Sequence, residues 1–194
     1  MNMLRGLKMK NNVSSYRFID RFDVSEVAKS VSKFDSEWVL DTSRQEMFKE
    51  HKDTYTYMIQ NFPLGWSPGS DVKIEKKYVK EDHYLEIKKI IDHLLDLNPG
   101  LVARVMYIKL PSKKSVPLHK DSGWYLSNVK RFHIPILTND RVSYTVNDDL
   151  KFMRSGECWE INNTAYHSVV NDGNTDRVHL VVDIIPQEVL NESN

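Results

Sequence analysis

Two histidines and an aspartate are the residues of this sequence best suited to hold a catalytic metal. His119 and Asp121 are separated by one residue, and His167 follows downstream. Two imidazoles and one carboxylate can bind a non-haem ferrous ion on one face and leave the opposite positions open for reactants. Zinc also accepts these ligands, with one position open for water. The triplet therefore predicts a metal site without choosing the metal.

An arginine downstream of the triplet suggests what else such a site binds. Arg177 follows His167 and opens a later β-rich run. A guanidinium is a permanent positive charge, and its planar fork of donors matches a carboxylate. Arg177 beside an open metal therefore favours a dicarboxylic co-substrate.

The spacing of the ionisable residues predicts that they share strand faces. Alternate side chains of a strand point to one side, so His119 and Asp121 can reach one ion, with Pro117 inward and Leu118 outward. The same period gives two later strands one ionisable face each, formed by Arg131 and His133 and by Arg177, His179 and Asp183. Charge inside a small barrel is costly unless it meets an ion, a ligand or a partner, which favours a functional site. The pattern alone favours the alternative that these faces lie outside and are exposed to solvent.

Apolar periodicity and turn residues predict the elements that position these side chains. Residues 82–97 carry an apolar stripe at helical spacing, a shorter helix follows Asp23, and residues 54–59 predict a strand. After residue 100, about eight short β-rich runs favour a sandwich, barrel or jelly roll. The predicted fold is mainly β with flanking helices. It forms a single domain of residues 1–194, with 1–14 flexible, 15–100 a supporting α/β half and 101–186 the β core.

Composition sets the broad class of protein. Lys+Arg and Asp+Glu both number 27, so nothing global indicates a nucleic-acid or membrane partner. Cys158 is the one cysteine, which excludes an internal disulfide and favours a reducing compartment. We find no signal peptide or membrane span and expect a cytoplasmic protein of undetermined oligomeric state. His51, His83 and His93 lie outside the β-rich half and are expected at the surface.

The β-rich half contains several short motifs in a fixed order. They are His119-x-Asp121, Arg131-Phe-His133-Ile-Pro-Ile, Gly156-Glu-Cys-Trp-Glu-Ile-Asn-Asn163, His167, Asn171 and Arg177-Val-His-Leu-Val-Val-Asp183. Over residues 101–186 their order and spacing resemble the aspartyl/asparaginyl β-hydroxylase group of Fe(II)/2-oxoglutarate oxygenases. The first hundred residues add nothing to this resemblance.

The resemblance implies a double-stranded β-helix, which is a cupin-like jelly roll, and a set of site residues. His119, Asp121 and His167 would bind Fe(II), and Arg177 would bind the distal carboxylate of 2-oxoglutarate. Arg131 and His133 would lie near its other carboxylate or near the substrate, and Tyr107 would help to hold the distal carboxylate. Animal members of the family lack the carboxylate ligand, so Asp121 makes this chain similar to members with a full triad. Trp124 and Tyr125 follow the triplet closely and are candidates to cover the substrate.

The implied reaction is hydroxylation of a C–H bond in an amino acid or peptidyl residue, using O2 and releasing succinate and CO2. Beyond the metal site it requires no catalytic acid, base or nucleophile. The substrate is a small molecule, such as a free amino acid of the proline type, or a peptide or protein. Two other functions stay open at this point, a cupin-like enzyme using another metal and a non-catalytic binding protein.

Overall fold

A computed structural model of the chain describes residues 13–39, 42–62, 75–76 and 81–192. The side chains of residues 75–76 and 81–83 lie outside that description. The strands are β1 Tyr16–Arg21, β2 Tyr55–Asn61, β3 Glu75–Lys76, β4 Gly100–Leu110, β5 Lys114–His119, β6 Lys130–Leu137, β7 Val142–Val146, β8 Asp149–Lys151, β9 Glu157–Ile161, β10 His167–Asn171 and β11 Arg177–Pro186. The helices are α1 Ser25–Val31, α2 Ser43–Met47, α3 Glu81–Leu97, α4 Trp124–Ser127 and α5 Gln187–Asn191, and short 3-10 turns cover Ser36–Val39 and Lys49–His51.

The strands form two antiparallel sheets. The larger has seven strands in the order β1-β9-β6-β11-β4-β2-β3, and the smaller has four in the order β5-β10-β7-β8. Side chains from both sheets pack together between them, including Leu110 and Ile161 from the larger and Val116, Tyr144 and Val169 from the smaller. The prediction of a mainly β jelly roll with flanking helices is confirmed.

Helices cover the other face of the larger sheet. In α3, the buried Ile87, Ile90, Ile91 and Leu94 repeat at helical spacing, while Leu97 is 55% exposed. They pack with α1 and with alternate residues of the central strands. The predicted helix over 82–97 is confirmed. No helix within the described ranges is both long enough and apolar enough to cross a membrane.

The N-terminal segment is part of the larger sheet and does not form a separate half. β1 pairs with β9, and β2 pairs with β4. The predicted boundary at residue 100 therefore falls inside one continuous sheet. Val13 is buried, and the carbonyl of Ser14 accepts hydrogen bonds from Asn147 and Asn162. Residues 13–14 are thus packed against the sheet, residues 1–12 lie outside the described residues, and the flexibility predicted for residues 1–14 stays a prediction.

Candidate metal centre

Pairing between β5 and β10 brings the two predicted histidine ligands together. His119 lies opposite His167 in the register, and their ring centroids are 4.2 Å apart. A β-bulge separates this pair from the next, Val169 with Val116. The bulge breaks the simple alternation, because it leaves Val116 buried and Pro117 exposed. The predicted inward position of Pro117 is therefore wrong, whereas Leu118 is outward as expected, at 62% exposed.

Asp121 follows the end of β5 and is held by the loop after β9. Its backbone N–H donates to the carbonyl of Asn163 at 3.0 Å, and the Asn163 side-chain amide donates to Asp121 Oδ2 at 3.3 Å. The ligand atoms of His119, Asp121 and His167 all lie within 4.8 Å of one another. The structure thus brings together the three residues that the sequence predicts as ligands.

Both imidazoles are oriented by backbone carbonyls. His119 Nδ1 donates to the carbonyl of Pro117 at 2.8 Å, and His167 Nδ1 donates to that of Ala165 at 2.9 Å. Each Nε2 therefore carries a lone pair, and His119 Nε2 is buried without a hydrogen-bond partner. Metal-binding histidines in proteins are held in the same way by a bond from the second ring nitrogen. The donor set thus fits a divalent metal ion.

Arg131 supports Asp121 from behind. Its guanidinium donates to both oxygens of Asp183, at 2.8 and 2.9 Å, and to Asp121 Oδ2 at 2.5 Å. Burial opposes ionisation of Asp121, but Arg131, His167 and Arg44 outweigh it, and the pKa of the carboxyl lies below its usual value. Two protein carboxylates engage the donors of Arg131, and the residue also lines the recess and the cavity next to the ligand residues. Its predicted contact with the co-substrate or the substrate stays a prediction.

A deeper recess of about 30 Å³ adjoins the three ligand residues. Arg177, His133 and Tyr144 line it, and all three are buried. Arg177 Nη2 donates to His179 Nδ1 at 2.7 Å, and its Nε is buried without a partner. Among the described residues Arg177 makes no ion pair, although burial lowers its pKa only to about 10 and leaves it charged at neutral pH. The ionisable faces therefore lie inside the molecule, which excludes the solvated alternative.

Tyr107 lies on the wrong face of β4 for the role predicted from the resemblance. It is fully buried in the core beneath the helices, where its ring stacks on Tyr57. Its neighbour Ile108 faces the recess with Val181. A shift of one residue along a strand reverses the face. The assignment of Tyr107 to co-substrate binding is therefore corrected.

A larger cavity of about 470 Å³ opens in front of the ligand residues. Trp124 and Tyr125 line it, as expected for residues that cover a substrate. The Tyr125 ring stacks on Phe62 at 5.0 Å, and its hydroxyl donates to Asp183 at 2.9 Å. Tyr125 therefore also holds the wall of the cavity in place.

Two further residues of this site were missed from the sequence. Arg44 of α2 and His51 of the following turn line both the cavity and the recess. The His51 ring lies edge-on to the His119 ring, with centroids 5.2 Å apart. Burial, and to a smaller extent the positive charge of Arg44, lowers the pKa of His51 to about 2. The predicted surface position of His51 is wrong. His93 is partly exposed and pairs with Asp20, and the His83 side chain lies outside the described residues.

Comparison with known proteins agrees with this geometry. A sequence profile of the family described as aspartyl/asparaginyl beta-hydroxylase matches residues 76–186. The chain belongs to this family. Family membership supports an enzyme of the oxygenase or hydroxylase class. No curated protein sequence matches the chain.

Two solved structures share the fold of this aspartyl/asparaginyl beta-hydroxylase family member. A non-heme monooxygenase, ThoJ in a nickel complex, is 12% identical with a TM-score of 0.54, over 89% of this chain and 74% of its own. An oxidoreductase of the 2OG-Fe(II) oxygenase family from Burkholderia pseudomallei is 11% identical with a TM-score of 0.50, over 67% of this chain and 65% of its own.

Proposed function

We propose that this protein is an Fe(II)- and 2-oxoglutarate-dependent hydroxylase that acts on an amino acid or a peptidyl residue. His119, Asp121 and His167 would hold the iron. When bound, iron and 2-oxoglutarate would supply the activation of O2, which inserts one oxygen atom into a C–H bond and transfers the other to succinate as CO2 leaves. The overall reaction converts R–H, O2 and 2-oxoglutarate to R–OH, succinate and CO2.

One observation carries the proposal, namely that the three candidate ligands share a recess with a buried arginine, Arg177, that has no carboxylate partner among the described residues. A buried charge without a partner is costly, so Arg177 favours an anionic ligand. A hydrolytic zinc site would explain the ligands but would give Arg177 no anion to bind. A dicarboxylate that reaches from the metal to Arg177 accounts for both.

The remaining residues of the recess orient this ligand and exclude water. His133 lines the recess together with Arg177. Burial, and to a smaller extent the positive charge of Arg177, holds the pKa of His133 well below its usual range. It is therefore a neutral hydrogen-bonding group. A recess of about 30 Å³ holds on the order of two water molecules, so 2-oxoglutarate would bind only if side chains such as Tyr144 move.

The decisive experiment measures binding and turnover separately. Ligands that bind only the folded state raise its stability, so Fe(II) and 2-oxoglutarate together should raise the Tm more than either alone under anaerobic conditions. His119→Ala and His167→Ala should abolish metal binding and substrate-dependent succinate formation. Full succinate formation in both variants would exclude this metal site.

Metal content and a substrate screen decide between the narrower alternatives. Stoichiometric zinc with hydrolytic activity, and no succinate formation after reconstitution with iron, would indicate the cupin-like alternative. Free amino acids, including proline, and short Asp- or Asn-containing peptides should be screened for substrate-dependent succinate formation. Faster succinate formation with free amino acids would indicate a free-amino-acid hydroxylase, and faster formation with peptides would indicate a peptidyl hydroxylase.

A further inference from the structure

Arg44, which is partly exposed, and the buried His51 form a hydrogen-bonded pair beside the candidate metal ligands. Arg44 Nη2 lies 2.9 Å from His51 Nε2, and both side chains line the cavity that also contains His119 and Asp121. His51 is only 9% exposed. Both residues precede the segment that matches the family profile, which begins at residue 76. The pair therefore lies outside the matched segment.

The hydrogen bond between the two residues fixes the tautomer of His51. A guanidinium only donates, so His51 Nε2 must accept and the ring proton must lie on Nδ1. Among the described residues that Nδ1 is buried without a hydrogen-bond partner, and so is Arg44 Nη1. An unpaired buried donor costs free energy, and two neighbouring ones indicate that something outside the protein completes them.

The surroundings favour a negatively charged partner. Arg104 lines the same cavity with its guanidinium over the Tyr125 ring at 4.8 Å, and its Nε is also buried without a partner. Within the described residues neither Arg44 nor Arg104 has an ion pair, whereas the charge of Arg131 is matched by Asp121 and Asp183. The cavity volume of about 470 Å³ lies within the usual range for small-molecule sites.

We propose that Arg44 Nη1 and His51 Nδ1 bind a carboxylate of the molecule that is hydroxylated, at a site next to the metal ligands. A carboxylate offers two coplanar oxygens, one for each donor, and accepts charge-assisted hydrogen bonds. The substrate is accordingly an acid, held by the N-terminal segment while its reactive C–H faces the metal. This inference rests on the proposed function for the reaction, but the carboxylate site itself requires no turnover.

The test compares acids with their neutral amides by calorimetry. The probes are free L-amino acids, the corresponding L-amino-acid amides and 2-oxoglutarate. Titrations use the anaerobic full-length protein, both metal-free and loaded with Mn(II) and 2-oxoglutarate. In the wild type we expect the tightest amino acid to bind at least about tenfold more tightly than its amide, as for a lost charge-assisted bond. Arg44→Gln and His51→Leu should each remove this preference.

A matched control separates local binding from general charge. Lys49→Gln removes one positive charge from the same turn as His51, but Lys49 is exposed and does not line the cavity. It should retain the preference for the acid. Thermal unfolding checks that each variant is folded, and if His51→Leu is not, Arg44→Gln alone decides.

The outcomes show whether the bound carboxylate belongs to the substrate or to the co-substrate. They also separate a failure of the carboxylate site from a failure of the proposed hydroxylase function. Weaker binding of 2-oxoglutarate to Arg44→Gln, with amino-acid binding unchanged, would overturn the proposal and assign these donors to the co-substrate. Equal wild-type affinity for acids and amides, no binding of any probe, or a preference that survives in Arg44→Gln would overturn the site. Absence of succinate formation with an intact preference would contradict only the proposed function.

Discussion

One oxygen of Asp121 is committed to protein donors, which leaves the other for an ion. Arg131 and Asn163 both donate to Oδ2, and Arg131 is itself fixed by Asp183. Such supporting contacts orient a ligand and commonly change metal affinity by roughly 10- to 100-fold. At the residue scale, Arg131 is therefore a positioning residue that acts through Asp121.

Arg131→Gln should weaken metal binding and destabilise the protein. Calorimetry with Mn(II) should show about 10- to 100-fold weaker binding. Urea unfolding should show a loss of about 3–5 kcal/mol, because Asp183 would remain as a buried charge without its partner. Arg131→Lys keeps the positive charge but lacks the planar guanidinium fork. Its metal affinity and its free energy of unfolding should therefore lie between those of the wild type and of Arg131→Gln.

Arg141→Gln is the matched control for this prediction. Arg141 pairs with Asp172 at the exposed surface, so its loss should leave both the unfolding free energy and metal binding nearly unchanged. If Arg131→Gln binds the metal as tightly as the wild type, Arg131 does not position Asp121.

His179 should make stability sensitive to mildly acidic pH. Burial, and to a smaller extent the positive charge of Arg177, holds the pKa of His179 well below its usual value, so His179 stays neutral in the folded state. In the unfolded chain the same side chain gains a proton below about pH 6.5. The unfolded state then binds more protons, and the free energy of unfolding falls as the pH falls. His179→Asn retains an acceptor for Arg177 and should reduce the loss between pH 7 and pH 5 by on the order of 1–2 kcal/mol.

Urea unfolding of metal-free protein at the two pH values measures this effect. His93→Asn provides the comparison, since His93 is partly exposed. An equal loss of stability in the wild type and in His179→Asn would show that His179 is not kept neutral by the fold.

At the scale of elements, the two faces of the larger sheet have separate tasks. The central strand β11 directs Val178, Leu180 and Val182 into the core beneath the helices. Its alternate residues Arg177 and Val181 line the recess. The period of two along one strand therefore supplies both the core and the site.

Leu94→Ala should test this separation. Leu94 is fully buried in α3, and its truncation should lower the unfolding free energy by about 2–5 kcal/mol. The helix packs on the face away from the metal ligands, so the Mn(II) affinity of the folded variant should stay unchanged. Leu97→Ala, at a position 55% exposed, is the control and should have little effect in urea unfolding. A loss of metal affinity in Leu94→Ala would show that the two faces are coupled.

At the scale of the whole molecule, the segment that matches the family does not contain a complete sheet. A fragment of residues 76–186 would lack β1 and β2, which pair with β9 and β4. It would also lose Val27, Val31 and Ile59 from the core, and it would expose strand edges that favour aggregation. We expect no cooperative thermal unfolding from this fragment, whereas residues 13–192 should unfold cooperatively. A sigmoidal transition of the fragment at a similar Tm would contradict this expectation.

The sequence by itself determined the fold class, the α3 helix and the later strands, and it singled out the three candidate ligand residues that the structure brings together. These depend on period, turn residues and motif order, which are local properties of the chain. His119 and His167 could be paired in advance because the motifs around them resemble a known family. Cys158, the one cysteine of the sequence, is free and buried in the structure.

Only the tertiary structure decided what surrounds those ligands. Because of the bulge in β5, Pro117 faces outward and not inward as predicted. Tyr107 lies one residue away from the position that faces the recess, so its side chain points into the core. Arg44 and His51 lie in a short helix and a turn with no periodic signal, yet the fold places them beside His119. Contacts between residues far apart in the chain depend on register and on loop paths. The pattern of residues within one segment does not specify such contacts. They could therefore be identified only from the tertiary structure.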